Sequence, residues 1–358
     1  MKKKISIHDI ARELNLSATT ISFVMNGKAE EKRISGDVKR KVLDYVRQVG
    51  YHPNQIAKSL RTGKTNIIGM LVEDISDPFF SSISRGIESI AYKHHYKIFF
   101  ASTENDTEKT RALIKVFRER QVDGYIIAPP AGIEDEIKAL MDDNVPVILF
   151  DRYLPSVSTS TVIIDNFSGS YQAVKHLEDN GFSNIAFITL ESEQTQMQAR
   201  LMGYIKAMEE SLKDPIIKKL PYKLSHELSA EKLVQQFIEK HDMVDALIFA
   251  TNYLAINGLK AIRNLGLSIP DDIAVVGFDD NTHFYLFTPS ITAVAQPIEE
   301  ISEEVVKQLL DALSDEKESR KRRTVTLPVK LIKRNSSLPR TKTRLTLKSF
   351  ENETKTVN

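Results

Sequence analysis

Charged and aromatic side chains follow several apolar runs that are typical of buried β-strands. They are Asp77-Pro78-Phe79-Phe80, Asp151-Arg152 and Asp279-Asp280. Carboxylate and guanidinium groups can bracket neighbouring hydroxyls of a polyol, while an aromatic ring covers its C–H face. These residue types therefore suit a sugar. An aspartate after a strand also commonly caps the next helix, and adjacent phenylalanines commonly pack in a core, so both interpretations stay open at this point.

Motifs that position substrates in common α/β enzymes are missing from the sequence. There is no G-x-S-x-G elbow, no G-x-x-x-x-G-K-[ST] loop and no G-x-G-x-x-G fingerprint. There is no cysteine, which removes thiolate metal sites and cysteine nucleophiles. His94-His95 resembles a metal-binding pair but falls at a predicted helix end, where exposed histidines are more common. We therefore expect neither an enzyme nor a metal or cofactor site.

Charge is distributed unevenly along the 358 residues, although 41% of them are hydrophobic, as in globular proteins. Residues 1–64 contain 14 Lys or Arg and 6 Asp or Glu, whereas the remainder contains 35 and 42. The first segment thus carries a formal charge of +8 and the rest −7. A basic module suits phosphate contacts at one end of the chain, and a solvated charged face is the alternative.

Residues 5–27 show the pattern of two short helices joined by a tight turn. Ser6 and Ser17 stand at N-cap positions before apolar residues with helical spacing, and Asn15-Leu16 and Asn26-Gly27 end the two helices. Such a pair forms a helix-turn-helix unit, whose second helix places its side chains in the major groove. A third helix at 37–49 is predicted to complete the small core.

The second of these helices is predicted to turn Ile21 and Val24 inward, together with Met25. Its other side chains and its cap residues are then candidate DNA contacts. They are Ser17, Ala18, Thr19, Thr20, Ser22, Phe23 and Asn26.

From residue 66 onward, short apolar runs alternate with amphipathic segments. This rhythm predicts β-strands connected by helices, as in an open parallel sheet. Strands are predicted at 67–72, 97–101, 124–128, 145–150, 162–164, 185–189, 246–250, 273–278 and 325–331, and helices at 79–94, 109–120, 134–142, 168–180, 196–211, 252–264 and 298–313. This pattern suits two doubly wound α/β lobes.

The strings IHDIARELNLSATTISFVMNG, VGYHPNQIAKSLRTG and NIIGMLV resemble the lactose/galactose repressor (LacI/GalR) family of transcription regulators. In that family the run after Pro-Asn is a hinge that becomes helical on operator DNA, and its leucine wedges into a minor-groove step. An apolar wedge of this kind unstacks the bases and bends the duplex. The resemblance implies a hinge with Leu60 as the wedge, although an ordinary linker leucine is the alternative. The implied hinge contacts with DNA are Asn54, Ala57, Lys58, Leu60 and Arg61.

Phe23 departs from the family pattern. Many members carry an arginine at this position, and its guanidinium can bind guanine through two hydrogen bonds. The resemblance therefore implies a different operator preference for this chain. Phe23 either packs on a thymine methyl group or belongs to the core of a slightly rotated helix, and the sequence leaves both open.

The resemblance covers about residues 5–340 and implies a fold like that of periplasmic sugar-binding proteins, with two lobes joined by three crossovers. The expected arrangement is a helix-turn-helix domain (1–52), a hinge helix and linker (53–65), a two-lobed effector domain (66–338) and a disordered basic tail (339–358). The N-lobe is expected at about 66–162 and 293–323, and the C-lobe at about 163–291 and 326–338. Ligands of such folds bind in the cleft at the strand carboxyl ends.

The family resemblance also implies which residues contact the effector. Asp151, Arg200 and Asp279 match family contacts, and Phe79 or Phe80 would cover a sugar ring. Thr251 replaces the first residue of an Asn-Asp pair that often opens this helix in the family, which leaves the ligand's identity open. The implied effector site is Phe79, Phe80, Asp151, Arg200, Thr251 and Asp279.

Together these features predict a sequence-specific transcription regulator, most simply a repressor, whose operator affinity responds to a sugar-like ligand. A homodimer is the simplest assembly, because it matches a pseudo-palindromic operator and the tail lacks leucine heptads. Neither a signal peptide nor a membrane-spanning run is evident, so we expect a cytoplasmic protein that binds double-stranded DNA. The alternative function is a sugar-binding sensor without specific operator binding.

Overall fold

The computed structural model describes residues 5–51, 63–224, 228–314 and 321–340. The chain divides into two compact units, Met1–Thr65 and Asn66–Asn358, which are described separately. Of the expected disordered tail (339–358), residues 341–358 lie outside the described residues, whereas Arg340 pairs with Asp245 at 2.8 Å. The expected hinge contacts Asn54, Ala57, Lys58, Leu60 and Arg61 also lie outside the described residues.

Within residues 5–51 the first unit contains α1 (Ile7–Leu14), α2 (Ala18–Met25) and α3 (Gly36–Gln48). Ser6 begins α1 in a capping box, in which its hydroxyl accepts from the Asp9 amide and the Asp9 carboxylate accepts from the Ser6 amide. Asn15 ends α1 with a φ of 50°, a left-handed conformation that asparagine tolerates. This left-handed residue turns the chain directly into α2.

One buried hydrophobic cluster joins the three helices of this unit. It includes Ile10 and Leu14 from α1, Ile21 and Val24 from α2, and Val42 from α3. The inward face predicted for α2 is therefore confirmed.

The second unit alternates strands and helices. Its strands are β1 (Ile67–Val72), β2 (Lys97–Ser102), β3 (Gly124–Ile127), β4 (Val147–Phe150), β5 (Ser160–Ile164), β6 (Ile185–Leu190), β7 (Ile216–Leu220), β8 (Ala246–Phe249), β9 (Ala274–Phe278), β10 (Thr292–Ala295), β11 (Thr324–Leu327) and β12 (Lys330–Ile332). Its α-helices are α4 (Pro78–Lys93), α5 (Thr107–Glu119), α6 (Glu134–Asp142), α7 (Asn166–Asp179), α8 (Thr195–Glu210), α9 (Leu228–Lys240), α10 (Asn252–Asn264), α11 (Thr282–Leu286) and α12 (Ile298–Leu313).

The strands of the described residues form two six-stranded sheets with matching order. The N-lobe sheet runs β11-β5-β4-β3-β1-β2, and the C-lobe sheet runs β12-β10-β9-β8-β6-β7. Neighbouring strands pair in parallel, except that β12 is antiparallel to β10. This repeated order confirms the predicted class of two doubly wound lobes.

The lobe boundaries lie a few residues later than expected at each crossover. β5 continues to Ile164 in the N-lobe sheet, β10 pairs with β9 in the C-lobe sheet, and β11 pairs with β5. The expected placement of 163–164 and 326–327 in the C-lobe, and of 293–295 in the N-lobe, is therefore wrong. Each crossing strand completes its ladder in one sheet before the chain passes to the other, because an unpaired buried strand end would leave backbone groups unsatisfied.

The predicted pattern contains no counterpart of β7, β10, α9 or α11. β7 forms the edge of the C-lobe sheet and carries Lys218 and Lys219. Lysines protect a sheet edge from pairing with other chains, but they also interrupt the apolar run by which a strand is recognised. An edge strand of this kind is therefore difficult to predict from hydrophobic spacing.

The sheets are covered on both faces, as β1 illustrates. Ile68, Met70 and Val72 pack in the large cluster that extends through both lobes, whereas Leu71 packs in a second cluster with α5 and α6. Side chains alternate between the faces of a strand, so both faces of β1 are buried. None of the helices in the described part of the chain is both long and apolar enough to cross a membrane.

Candidate functional site

Two aspartates occupy equivalent positions in the lobes, Asp151 after β4 and Asp279 after β9. Their φ angles of 67° and 66° are left-handed, which costs a residue with a side chain about 1 to 3 kcal/mol. Neighbouring strands hold this backbone, because the Asp151 amide donates to the Val162 carbonyl at 3.1 Å and the Asp279 amide donates to the Val294 carbonyl at 2.9 Å. Both carboxylates are buried at the strand carboxyl ends. Strain of this kind is concentrated at functional positions.

Arg152 forms the charged centre of the N-lobe wall. It is only 2% exposed, and its guanidinium donates to Asp151 at 2.9 Å, to Glu73 at 2.6 Å and to Asn105 at 3.3 Å. Burial acts to lower the pKa of Arg152, but Glu73 and Asp151 outweigh it and hold that pKa above its ordinary value. The guanidinium therefore stays charged and fixes both carboxylates.

Arg200 has the corresponding role in the C-lobe wall. Its Nε donates to Asn166 at 2.8 Å, and its Nη1 donates to the Ala250 carbonyl at 2.6 Å and lies 3.6 Å from an Asp279 carboxylate oxygen. The guanidinium carbon is 3.7 Å from the centre of the Phe278 ring, a cation–π contact. Arg200 thus ties α8 to the start of α7 and to the ends of β8 and β9.

Gly203 allows α8 to approach the start of α7 closely enough for this contact. A Cβ atom at Gly203 would lie 2.1 Å from the carbonyl oxygen of Phe167, which is too close for any side chain. The neighbouring residue Asn166 is the one that Arg200 contacts. Gly203 therefore positions Arg200 through helix packing.

We expect Gly203→Ala to lower the free energy of unfolding of the two-lobed unit by about 1 to 3 kcal/mol, as other overpacked sites do. Urea unfolding of the full chain measures this change. Met202→Ala is the control on the same helix, since Met202 is 54% exposed and its truncation leaves the helix contact intact. Equal stability of the two variants would show that α8 can shift without loss and that Gly203 has no positioning role.

Among the described residues, four side-chain hydrogen bonds between the lobes cross the cleft. Each pairs a side chain or amide of one lobe with a polar group of the other, which closes the mouth of the cleft. They join Glu73 to Tyr222, Asp77 to Asn252, Asn105 to Gln194, and Tyr153 to Thr195, at distances from 2.7 to 3.3 Å.

The closed cleft encloses a free volume of about 30 Å³, which suits one or two water molecules. Phe79, Phe80 and Thr251 line it, together with Asp151, Arg200 and Asp279. A larger cavity of about 450 Å³ adjoins it and shares Phe79 and Asp279. The structure thus brings the six sequence-predicted effector residues to one place.

The aromatic and hydroxyl residues of the cleft also have structural roles. Phe79 and Phe80 are 7% and 6% exposed and pack edge-to-face with ring centres 4.9 Å apart. The Thr251 hydroxyl accepts from the Leu254 amide at 3.3 Å and so caps α10. Phe79, Phe80 and Thr251 therefore line the cleft and also have these core and cap roles.

Carboxyl groups in the cleft have perturbed pKa values. Burial raises the pKa of Asp77 to about 6, and nearby Asp279 adds to the rise, while hydrogen bonds from Asn252 and the first turn of α4 oppose it. Burial also raises the pKa of Asp279, although Arg200 and Gln296 act to lower it. Negative charge in the cleft is therefore incompletely compensated.

Sequence reasoning missed several cleft residues. Glu73 directly follows β1, so the strand-end rule that indicated Asp151 and Asp279 applies to it equally. Asn252 lines the cleft and Asn166 contacts Arg200, and each stands at the first position of a helix, where no sequence pattern marks such a role. Tyr222 lies after β7, in a stretch where the sequence pattern predicts neither a helix nor a strand.

In the first unit, two helix caps use residues that were expected to contact DNA. The Ser17 hydroxyl accepts from the Thr20 amide at 3.0 Å and lies 2.8 Å from the Thr20 hydroxyl. Asn26 donates to the Ser22 carbonyl at 2.7 Å and so ends α2. Thr19 stays exposed between these caps. The caps fix the length of the helix that carries the remaining candidate contacts.

Phe23 is half-buried and lies outside the hydrophobic cluster that the described helices share. The Lys32 ammonium lies 5.6 Å from the centre of its ring. Of the two interpretations of Phe23, the structure therefore supports the surface position. Ala18, in contrast, packs against that cluster. Ala18 nevertheless stays partly exposed, so its contact with DNA stays a prediction.

Comparison with known proteins gives matches along most of the chain. Residues 6–54 match the model of bacterial regulatory proteins of the lacI family, and residues 174–337 match a periplasmic binding protein-like domain. The HTH-type transcriptional regulator RegA of Clostridium saccharobutylicum is 34% identical over 319 residues, which cover 86% of this chain and 92% of that protein. The HTH-type transcriptional regulator DegA of Bacillus subtilis is 30% identical over 339 residues, which cover 94% and 99%.

Solved structures of similar fold cover either the whole chain or the two-lobed unit. A lac repressor dimer bound to operator and the anti-inducer ONPF has a TM-score of 0.82 at 23% identity and covers 94% of this chain and 100% of its own. A ribose-bound regulator from Enterococcus faecium has a TM-score of 0.68 at 28% identity and covers 76% and 99%. With the helix-turn-helix unit and the two lobes in place, the chain belongs to the lacI family of bacterial regulatory proteins.

Proposed function

We propose that this protein represses transcription by binding a pseudo-palindromic operator as a homodimer, and that a sugar-like ligand between the lobes changes its operator affinity. The observation that carries this proposal is the union, in one chain, of a helix-turn-helix unit and a cleft lined by buried Asp151, Arg200 and Asp279. Relatives named as transcriptional regulators support a regulatory rather than a catalytic role. The protein acts in the cytoplasm, where operator DNA lies.

A sugar suits the chemistry of the cleft, because carboxylates accept hydrogen bonds from hydroxyls and Phe79 and Phe80 provide apolar cover. The free volume of about 30 Å³ is far smaller than a sugar ring, so the lobes would have to move apart for a sugar to contact all six predicted effector residues. A ligand that favours one lobe separation shifts the population of that state by its difference in affinity, commonly about 1 to 3 kcal/mol. This coupling would alter how the protein holds the operator.

The DNA-binding surface would combine α2 with the basic hinge. Thr19, Ser22 and Phe23 lie on the exposed or half-exposed side of α2, and the first 64 residues carry an excess of eight positive charges. Direct base contacts in the major groove would come from α2, while lysines and arginines would contact phosphates. We assign the minor-groove wedge to Leu60.

We expect Leu60→Ala to weaken specific operator binding by about tenfold or more, because the DNA bend that permits extra backbone contacts is lost. Binding to random DNA at the same salt concentration should change little. Lys58→Ala is the contrasting variant, since loss of a phosphate contact should weaken specific and random binding alike. Equal losses on both DNAs for Leu60→Ala would contradict the wedge assignment. Fluorescence anisotropy at fixed salt measures all four affinities.

A homodimer surface is available at the edge of the N-lobe sheet. Phe99 and Phe100 on β2 are 40% and 37% exposed, and Tyr92 on α4 is 75% exposed. β2 has no further strand beyond it among the described residues. Exposed aromatic groups beside a strand edge favour association, and a twofold axis would match two operator half-sites.

Operator selection from a random duplex pool tests the proposed function, with the purified full chain at fixed salt concentration. We expect enrichment of a palindromic site. Binding of a sugar without any enriched sequence would instead favour the sensor function, in which the lobes bind ligand but the first unit reads no operator.

A further inference from the structure

Charge in the cleft is unbalanced. The charged side chains that line it are Glu73, Asp77, Asp151, Arg152, Arg200 and Asp279. Four are acidic and two are basic, and no lysine lines the cavity among the described residues. A ligand that enters this enclosed space therefore meets an excess of negative charge.

Both arginines of the cleft already have partners. Arg152 is held by two carboxylates, those of Glu73 and Asp151. Arg200 donates to Asn166 and to the Ala250 carbonyl. An incoming phosphate or carboxylate would thus compete with these partners for the guanidinium groups, and it would lie next to the acidic groups.

Buried amide oxygens give an independent indication of the ligand. Gln296 must direct its Nε2 toward Asp279, which it contacts at 2.6 Å, because a carboxylate cannot donate to an amide oxygen. Its Oε1 is left buried without a hydrogen-bond donor. Gln196 lines the cleft and is 6% exposed, and its Oε1 is likewise buried without a hydrogen-bond donor. Groups of this kind require donors, and a ligand rich in N–H and O–H groups would supply them.

Among the cleft carboxylates, Asp77 has the weakest compensation of its negative charge. It accepts from the Phe79 amide at 2.8 Å and from Asn252 at 3.1 Å, and it forms no ion pair with any described residue. Burial and the charge of Asp279 raise the pKa of Asp77 to about 6. Both effects therefore oppose the ionisation of Asp77 at neutral pH. A cation near Asp77 and Asp279 would relieve the repulsion between carboxylates of opposite lobes.

We propose that the effector is a polyol that carries a protonated amine, as an amino sugar does, and that the cleft rejects anionic sugars. This inference rests on the proposed function, since it names the ligand class of the same site. The ammonium lies at Asp77 and Asp279, where it links the two lobes. Hydroxyl groups donate to the remaining carboxylates and to the two amide oxygens.

Calorimetric titration of the full-length protein with matched sugars tests this inference. The probes are glucose, galactose and mannose, each as the parent sugar, the 2-amino-2-deoxy sugar and the 6-phosphate, at about pH 7 and concentrations up to about 10 mM. In at least one series we expect the amino sugar to bind about tenfold more tightly than its parent, which is the usual gain of a charge-assisted hydrogen bond. No 6-phosphate should bind.

Asp77→Asn removes the negative charge of the proposed ammonium partner. Asparagine also caps helices, so α4 keeps its N-cap, but the preference for the amino sugar should fall to within about threefold of the parent. Asp106→Asn is the matched control, because Asp106 is an exposed N-cap of α5 that accepts from the Lys109 amide and does not line the cleft. That variant should keep the full preference.

The outcomes separate this inference from the proposed function. Tighter binding of any 6-phosphate than of its parent, equal binding of amine and parent, or no binding of any amino sugar would each overturn the amine assignment. Operator binding, measured on the same preparation, is unaffected by those results and tests the proposed function by itself. An unchanged amine preference in Asp77→Asn would also overturn the role of Asp77.

Discussion

Arg152→Met is expected to lower the free energy of unfolding of the two-lobed unit by about 3 to 5 kcal/mol, the usual loss when one partner of a buried ion pair is removed. Arg152 is 2% exposed and neutralises both Glu73 and Asp151. Methionine fills similar space but leaves two buried carboxylates without their cation. Urea unfolding of the full chain, followed by circular dichroism, measures the loss.

Lys109→Met is the control for this prediction. Lys109 pairs with Glu104 at 2.7 Å, a distance similar to the Arg152–Glu73 contact, but these side chains are 39% and 70% exposed. Its removal should cost less than about 1 kcal/mol, because water screens the pair. Similar losses for the two variants would show that burial does not strengthen the Arg152 cluster, and the account of the N-lobe wall would then be wrong.

Arg200→Met is expected to weaken effector binding by about 100-fold, which corresponds to about 3 kcal/mol. The variant loses the donors to Asn166 and Ala250 and the cation nearest to Asp279. The C-lobe wall then lacks the group that orders the carboxylate for the ligand. Calorimetric titration with the ligand that changes operator affinity gives the two affinities.

Lys206→Met provides the matched control on the same helix. Lys206 pairs with Glu210 at 3.3 Å on the exposed side of α8, away from the cleft. Its effector affinity should equal that of the parent protein. If Arg200→Met binds the effector as tightly as the parent protein, Arg200 is not part of the effector site, whatever the control shows.

The alternation of strands and helices in the sequence predicts the fold class, because strands buried on both faces leave continuous apolar runs. The same runs mark where Asp151 and Asp279 must lie, at the carboxyl ends of β4 and β9. Arg200 emerges only from the family resemblance, since nothing in the periodicity of α8 shows that this buried position faces a cleft. β7 is absent from the prediction because its lysines interrupt its apolar run.

Contacts across the cleft could not be predicted from spacing. Glu73 and Tyr222 are separated by 149 positions and belong to different sheets, so their hydrogen bond depends on how the lobes close. The orientation of α2 could not be predicted from spacing either. Helical periodicity places Ile21 and Val24 inward, but only packing decides that Ala18 joins them while Phe23 lies under Lys32.

Closure of the cleft connects these features with regulation. The four cross-lobe hydrogen bonds stabilise one lobe separation, and each involves a residue in or beside the ligand cavity. A ligand that breaks them must replace them, so its shape and donors determine the lobe separation that it favours. Under the proposed function, the effector response would therefore depend on the same groups that hold the lobes together.

In the proposed function, one chain binds an operator and a ligand in the cleft changes the affinity of that binding. The most direct measurement is the dissociation constant for the selected operator, at fixed salt concentration, with and without each sugar of the matched series. We predict that an amino sugar changes this constant by about 5- to 150-fold and that Arg200→Met removes the change. An operator affinity that no cleft ligand alters, although calorimetry shows the ligand bound, would contradict the account.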